Sequence, residues 1–208
     1  VGRELERLLP GASVVPADDV LATARMVKSE LELHVIRRAV AVAEIGMAAG
    51  IAACEEGVME YEAAAAAEHA MRRAGAEGVP YSAIVTGGEN AAWMQEISSD
   101  RFLRRGDLVM LDLGCVYEGY CAEFARSVVV GGRPSDEQRR VYHATYEALQ
   151  AVVAAVRPGL TCHELDAIPR RILTERGYGE HLYDYFVGHG IGMGVWEPPL
   201  ALPGNETP

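Results

Sequence analysis

The run Leu111-Asp112-Leu113-Gly114-Cys115-Val116-Tyr117-Glu118-Gly119-Tyr120-Cys121-Ala122-Glu123 decides how this chain is read. It joins an apolar segment that starts at Leu108 and holds one carboxylate, Asp112, to an extended segment over 121–130 that holds another, Glu123. A hairpin turning near Glu118 sets Asp112 directly opposite Glu123 on one face, with Cβ atoms about 4.5–5.5 Å apart. Two carboxylates that close repel unless something positive lies between them. Solvent-facing side chains are the ordinary outcome for such a pair. The apolar neighbours of Asp112 argue instead for a buried strand, and a divalent cation held by oxygen ligands then accounts for the pair. Cys121 falls on the same strand face by alternation, and reads as a small buried residue rather than a thiol ligand.

Outward from the hairpin, the segment 82–86 is a short β-branched strand closing on Gly87-Gly88. Upstream, Ser29 followed by Glu32 has capping-box spacing, and apolar residues recur from Leu33 to Met47 at helical intervals, predicting a long helix that ends near Glu55-Glu56-Gly57. A second, Ala-rich helix spans about 60–73 and stops at Gly75, its alanines at 63–67 serving helix propensity. Two further helices are expected over about 135–156 and 163–176, divided by Arg157-Pro158-Gly159. Residues 1–24 read as a short helix and strand before a linker, and 187–208 as Gly- and Pro-rich loops with one short strand. Helices, then strands, then helices, then a strand-like tail make the class α+β.

The 208 residues carry 19 basic and 30 acidic side chains, a formal net charge of −11. That balance argues against nucleic-acid and anionic-membrane partners, which need basic patches. No apolar run is long enough to span a membrane, and the N-terminus lacks the order of a secretion signal, so a cytoplasmic enzyme-sized domain is expected. The first residue is Val rather than Met, which is read as a fragment or a processed chain. Four cysteines without a C-x-x-C pair indicate neither a zinc ribbon nor a disulfide framework.

The second informative segment is Gly188-His189-Gly190-Ile191-Gly192, where glycines let backbone and ligand approach a histidine closely. A lone histidine is usually structural, and the glycine frame weighs the other way. His34, His69, His143, His163 and His181 fall in or beside predicted helices and read as surface residues.

These segments together resemble the pita-bread metallopeptidases, the family of methionine aminopeptidase, Xaa-Pro aminopeptidase, prolidase and creatinase. The resemblance runs through Arg25-Met26-Val27-Lys28-Ser29, Asp112-Leu113-Gly114, Tyr117-x-Gly119-Tyr120, Arg126, Arg157-Pro158-Gly159, Gly188 to Gly192 and Glu197-Pro198-Pro199. It implies a pita-bread catalytic domain over 25–208, incomplete at its C-terminal end, with 1–24 as the end of a smaller N-terminal domain and linker. It also implies two divalent ions (Mn, Co, Zn or Fe) held by an Asp, a second Asp eleven residues on, a His and two Glu. Asp112 and His189 match; the second Asp is replaced by Glu123, and the two Glu would follow Pro208, so one site or none is expected from this stretch.

The two substrate-binding histidines that the resemblance implies fall at Gln95 and Trp196, both replaced. Gln95 still donates a hydrogen bond without shuttling a proton, and Trp196 offers one indole N–H and a large apolar ring. Tyr81 and Trp93 are candidate cleft residues. The expected function is a metal-dependent hydrolase of the Xaa-Pro aminopeptidase or dipeptidase type with a modified site. It would act on a small peptide or amide-type substrate and form a homodimer when full-length. The alternatives are a non-peptidase enzyme on the same fold (a C–N hydrolase or lyase) and an inactive binding protein.

Overall fold

The computed structural model describes residues 2–93, 97–183 and 185–208. Two short helices, α1 (Gly2–Leu8) and α2 (Asp18–Met26), precede the long α3 (Glu30–Ala53) and α4 (Glu60–Arg73). Three strands follow, β1 (Ile84–Gly87), β2 (Leu108–Tyr117) and β3 (Tyr120–Val129). Helices α5 (Asp136–Ala155) and α6 (Cys162–Glu175) come next, and the chain closes through β4 (Gly188–Gly190) and β5 (Glu197–Ala201). The class is α+β, as expected.

Local chemistry fixes the helix starts. At α3 the Glu32 backbone N–H donates to Ser29 Oγ at 3.4 Å while the Ser29 N–H donates back to Glu32 Oε2 at 2.7 Å. Ser135 and Thr161 head α5 and α6 with the same reciprocal pair, so each helix begins with two of its orphan N–H groups satisfied.

β1, β2 and β3 form one antiparallel sheet in that order, while β4 and β5 form a separate two-stranded ribbon. Along β2 the odd-numbered Val109, Leu111, Leu113 and Cys115 are buried against α3 and α4, which leaves Met110 and Asp112 on the opposite face. The helix pair sits close because its contact faces are small: Gly46 and Gly50 of α3 meet Ala63, Ala67 and Met71 of α4. A Cβ at Gly46 would stand 2.3 Å from Met71 Cγ and 3.1 Å from the Ala67 carbonyl. The alanine run therefore does more than favour helix; three of its members are core.

Three expectations are corrected. The hairpin turns on two residues, Glu118 (φ 49°) and Gly119 (φ 77°), the left-handed pair that matches strand twist. Tyr117 thus pairs with Tyr120, Asp112 with Ala125 and Glu123 with Gly114. The register is two residues away from a direct Asp112–Glu123 pairing, and the period of two keeps both carboxylates on one face, now diagonal at about 7–8 Å between backbone positions. Residues 1–24 hold two helices and no strand among the described residues; Val14 and Val15 are exposed and have no strand partner there. The tail holds two strands rather than one, paired by a ladder that is irregular between His189 and Gly190. Their Gly- and Pro-rich composition hides them from any propensity reading.

Candidate functional site

The face of the sheet opposite the helices opens into a cleft of about 720 Å³. Met110, Asp112, Glu123 and Ala125 lie on its floor, and Phe186, His189 and Trp196 on its wall. Asp112 arrives from the middle of β2, Glu123 from β3 and His189 from β4. The glycines around His189 let β4 lie against β5: a Cβ at Gly190 would stand 2.5 Å from the Pro198 carbonyl.

A fourth side chain joins them. The Tyr81 hydroxyl lies 2.8 Å from Asp112 Oδ1 and 3.3 Å from Glu123 Oε1, filling the gap that the diagonal register leaves. Burial, then the charge of Asp112, holds the Tyr81 phenol well above its ordinary range, so it stays a donor. Burial likewise raises the Asp112 carboxyl, against the pull of the Tyr81 hydrogen bond and with further help from Glu123. His189 is raised chiefly by Glu123. Its Nδ1 meets the Gly190 carbonyl at 2.8 Å, which assigns the hydrogen to Nδ1 and turns Nε2 toward Glu123 Oε2, 3.3 Å away. In the neutral ring two lone pairs would then face each other, which calls for a proton or a cation between them.

Glu123 Oε2 is buried without a hydrogen-bond partner among the described residues. Two carboxylates, one of them with an orphaned oxygen, and one imidazole nitrogen are donor chemistry that fits a divalent cation. The arrangement itself is a chain, Asp112–Tyr81–Glu123–His189, and among the described residues no three His, Cys, Asp or Glu side chains are grouped to close a shell on one ion.

Trp196 does lie beside the histidine. It is 48% exposed, and its ring meets His189 at 6.4 Å and Phe186 at 6.2 Å, both nearly edge-on. Gln95 falls outside the described residues. Trp93 is largely exposed and does not line this cleft. Cys121 is buried with its thiol 3.5 Å from the Met193 carbonyl, the packing role expected for it. The five other histidines are all exposed.

Two further residues brace the site, Glu60, which has no site reading in the sequence, and Glu197, which figures there only as part of the Glu197-Pro198-Pro199 segment. Glu60, fully buried at the head of α4, accepts from the Gly87 N–H at 2.8 Å and from the Ser99 hydroxyl at 2.7 Å and backbone N–H at 3.0 Å. It pins β1 to the loop beyond it. Glu197 is held by Lys28 Nζ at 2.9 Å and by Arg25, tying β5 to the end of α2. The Arg25-to-Ser29 and Glu197-Pro198-Pro199 segments, noticed separately in the sequence, thus prove to be two sides of one contact.

The fold and this cleft define a pita-bread protein with paired carboxylates and a histidine on the open face of its sheet. Residues 34–208 match the profile of Metallopeptidase family M24, and the chain belongs to that family. It is 38% identical over 190 residues to an Xaa-Pro dipeptidase of Pyrococcus horikoshii, covering 91% of this chain and 54% of that protein. Among solved structures it resembles the X-Pro aminopeptidase of Thermotoga maritima MSB8, with a TM-score of 0.91 and 34% identity over 99% of this chain and 58% of that one. It also resembles the prolidase of Pyrococcus furiosus, with a TM-score of 0.85 and 37% identity over 91% and 56% of the two chains. The chain spans about half the length of the curated relatives it matches. No helix among the described residues is long and apolar enough to cross a membrane.

Proposed function

We propose that this chain supplies the floor and one wall of the active site of a metal-dependent hydrolase acting on Xaa-Pro peptides, with a site altered at three positions. The observation that carries the reading is the grouping of Asp112, Glu123 and His189 through the Tyr81 hydroxyl at the base of one cleft. Asp112, Glu123 and His189 would hold a divalent ion, which supplies a Lewis acid that polarises the scissile carbonyl. Tyr81 orients the two carboxylates toward each other and caps the oxygens that face it. Phe186 and Trp196 keep the wall apolar and limit water around the reacting bond. Pairing of two full-length copies, and the role of residues 1–24 as the end of a preceding domain, belong to the same proposal.

The replacements predict slow chemistry. Losing one donor that stabilises a tetrahedral species typically costs about 10²–10³ in rate, and both Gln95 and Trp196 stand where the family resemblance implies histidine. Glu123 carries its carboxylate one methylene further than Asp, which loosens the second metal position more than the first.

The test is a comparison of the full-length protein with the combined Gln95→His, Trp196→His and Glu123→Asp variant on Xaa-Pro dipeptides with Mn²⁺ or Co²⁺ supplied. The unmodified protein should be slow, and the variant faster by more than the product of the single changes, since the three act as a unit. Brisk cleavage by the unmodified protein would show that Gln95 and Trp196 suit peptidase chemistry. No gain in the variant would favour the second reading, a non-peptidase enzyme on the same fold. The Trp196 ring standing 6.4 Å from His189, inside the cleft, is the observation behind that alternative.

A further inference from the structure

The wall of the cleft that carries Phe186 and His189 is reached through residues 182, 183 and 185–187, none of which belongs to a helix or strand. Its far end is fastened where the Val187 N–H donates to the Ala201 carbonyl at 2.8 Å, the first bond of the β4–β5 ribbon. Upstream of that point one side chain grips the backbone. Arg170, on α6, donates from Nη1 to the Tyr183 carbonyl at 3.0 Å and from Nη2 to the Tyr185 carbonyl at 2.8 Å. Its Nε donates to Asp166 Oδ2 at 2.6 Å, one helical turn back. Asp166 is buried, and its other oxygen has no hydrogen-bond partner among the described residues, so that carboxylate holds the guanidinium and nothing else seen there.

The geometry uses what is particular to arginine. Three nitrogens of one rigid plane address three acceptors in three directions, which fixes the guanidinium in place and orientation rather than merely neutralising a charge. What it fixes is the depth of Phe186, the residue after Tyr185, whose ring stands 5.2 Å from His189 and 6.2 Å from Trp196. We propose that Arg170, clamped by Asp166, is a positioning residue for this cleft: it sets the 185–189 segment, and through Phe186 the ring of His189, against the carboxylate floor. The inference rests on the reading of the cleft as a catalytic site, and reaches a residue that lines none of it.

The experiment separates this from that reading by using two measurements on the full-length protein. The first is amide hydrogen exchange, which needs no substrate. In Arg170→Lys, whose ammonium keeps a counter-charge for Asp166 but cannot span both carbonyls, exchange over 185–190 should rise about 10-fold, with the β2–β3 hairpin and α5 unchanged. Arg170→Ala should show the same local loss, larger. The second is steady-state kinetics on Xaa-Pro dipeptides: Arg170→Lys should raise KM and lower kcat/KM by about 10-fold or more, with Tm nearly unchanged, because misplaced binding groups cost rate without unfolding.

Unchanged exchange over 185–190 in Arg170→Lys overturns the proposal. Exchange that rises everywhere also overturns it, since Arg170 would then be a general support of α6. If Arg170→Ala does not fold, Arg170→Lys decides alone. If no dipeptide is cleaved by any form, the function reading fails while the exchange result still judges the clamp.

Discussion

The two carboxylates and the histidine of the cleft stand on regions built by different means. From α3 through β3 the chain shares one apolar cluster running from Ala39 to Val130, and Asp112 sits on a strand whose other face is wholly within it. From α5 onward the buried apolar side chains among the described residues are few and scattered: Ala144, Ala148, Cys162, Pro169, Ile172 and Ala201. That second region is held largely by polar ties, Arg170 on the 183 and 185 carbonyls, Lys28 and Arg25 on Glu197, and the Cys162 and His163 N–H groups on the tail carbonyls of Thr207 and Asn205. Apolar packing is non-directional and tolerates no displacement of a strand, whereas directional ties fix one geometry and can be undone one at a time. The floor of the site is therefore the rigid reference, and the wall is the part that mutations retune.

The sharpest way to break that contrast is to empty equal volume from each region. Leu111, on β2, is completely buried against α3, and Leu111→Ala should cost about 2–5 kcal/mol in urea unfolding. Leu149, on α5 at the cleft's edge, is half exposed, and Leu149→Ala should cost less than about 0.5 kcal/mol. Equal losses would show that the second region has a core of its own.

Glu60 is the polar exception inside the first region, and it gives a pH test. Burial raises its carboxyl, yet hydrogen bonds from Gly87, Ser99 and Asn90 outweigh that and hold it below its ordinary value of 4.5. A lowered folded-state value means that its contribution is complete above about pH 4.5 and fades as pH falls through the folded value. Glu60→Gln turns one acceptor into a donor among donors and should cost about 2–3 kcal/mol at pH 7. The gap between the two proteins should narrow as pH falls below about 4.5, where Glu60 is first protonated in the unfolded chain, and close as pH passes its lowered folded value. A gap independent of pH would mean that shape rather than charge holds the loop.

What could be read in the sequence divides along the same line. The α3 start was legible because Ser29 and Glu32 satisfy each other within one turn, with no help from elsewhere. The hairpin and its shared face were legible from alternation, while its register depended on which two residues adopt left-handed φ, and a Glu at 118 gives little sign of that. Tyr81 reads from the sequence only as a candidate cleft residue, with no partner, and Glu60 has no reading there beyond the head of a helix, because their partners lie more than twenty residues away and no local spacing encodes such pairs. Cleft residues on β4 were legible only as a glycine-framed histidine; the strand itself has no β-forming composition to announce it.

Tyr81 sharpens the comparison at the site itself, because it serves the floor alone. Tyr81→Phe removes the hydroxyl between Asp112 and Glu123 and leaves the ring in place. Groups that orient metal ligands are typically worth about 10–100-fold in affinity. Mn²⁺ titration calorimetry should show at least a ~10-fold loss for this variant, with a change in stability of only about 1 kcal/mol. An unaltered affinity would detach Tyr81, and with it the diagonal register, from metal binding.

The smallest effect belongs to a tie that looks as good as any other on distance. Arg176 Nη2 meets Glu147 Oε2 at 2.6 Å and links α6 to α5, but the two side chains are 56% and 48% exposed. Water solvates both charges before and after the contact forms, and two long side chains lose freedom to hold it. Lys28 and Glu197, at 10% and 7%, have no such alternative, because separating them would strand a charge under β5. Arg176→Ala should therefore move Tm by less than about 3 °C at low salt, within the range of exposed pairs. At about 1 M NaCl, where screening acts within roughly 3 Å, that difference should vanish. A larger, salt-resistant loss would mean that α5 and α6 depend on this pair, and that exposure is the wrong measure of which polar ties hold the second region together.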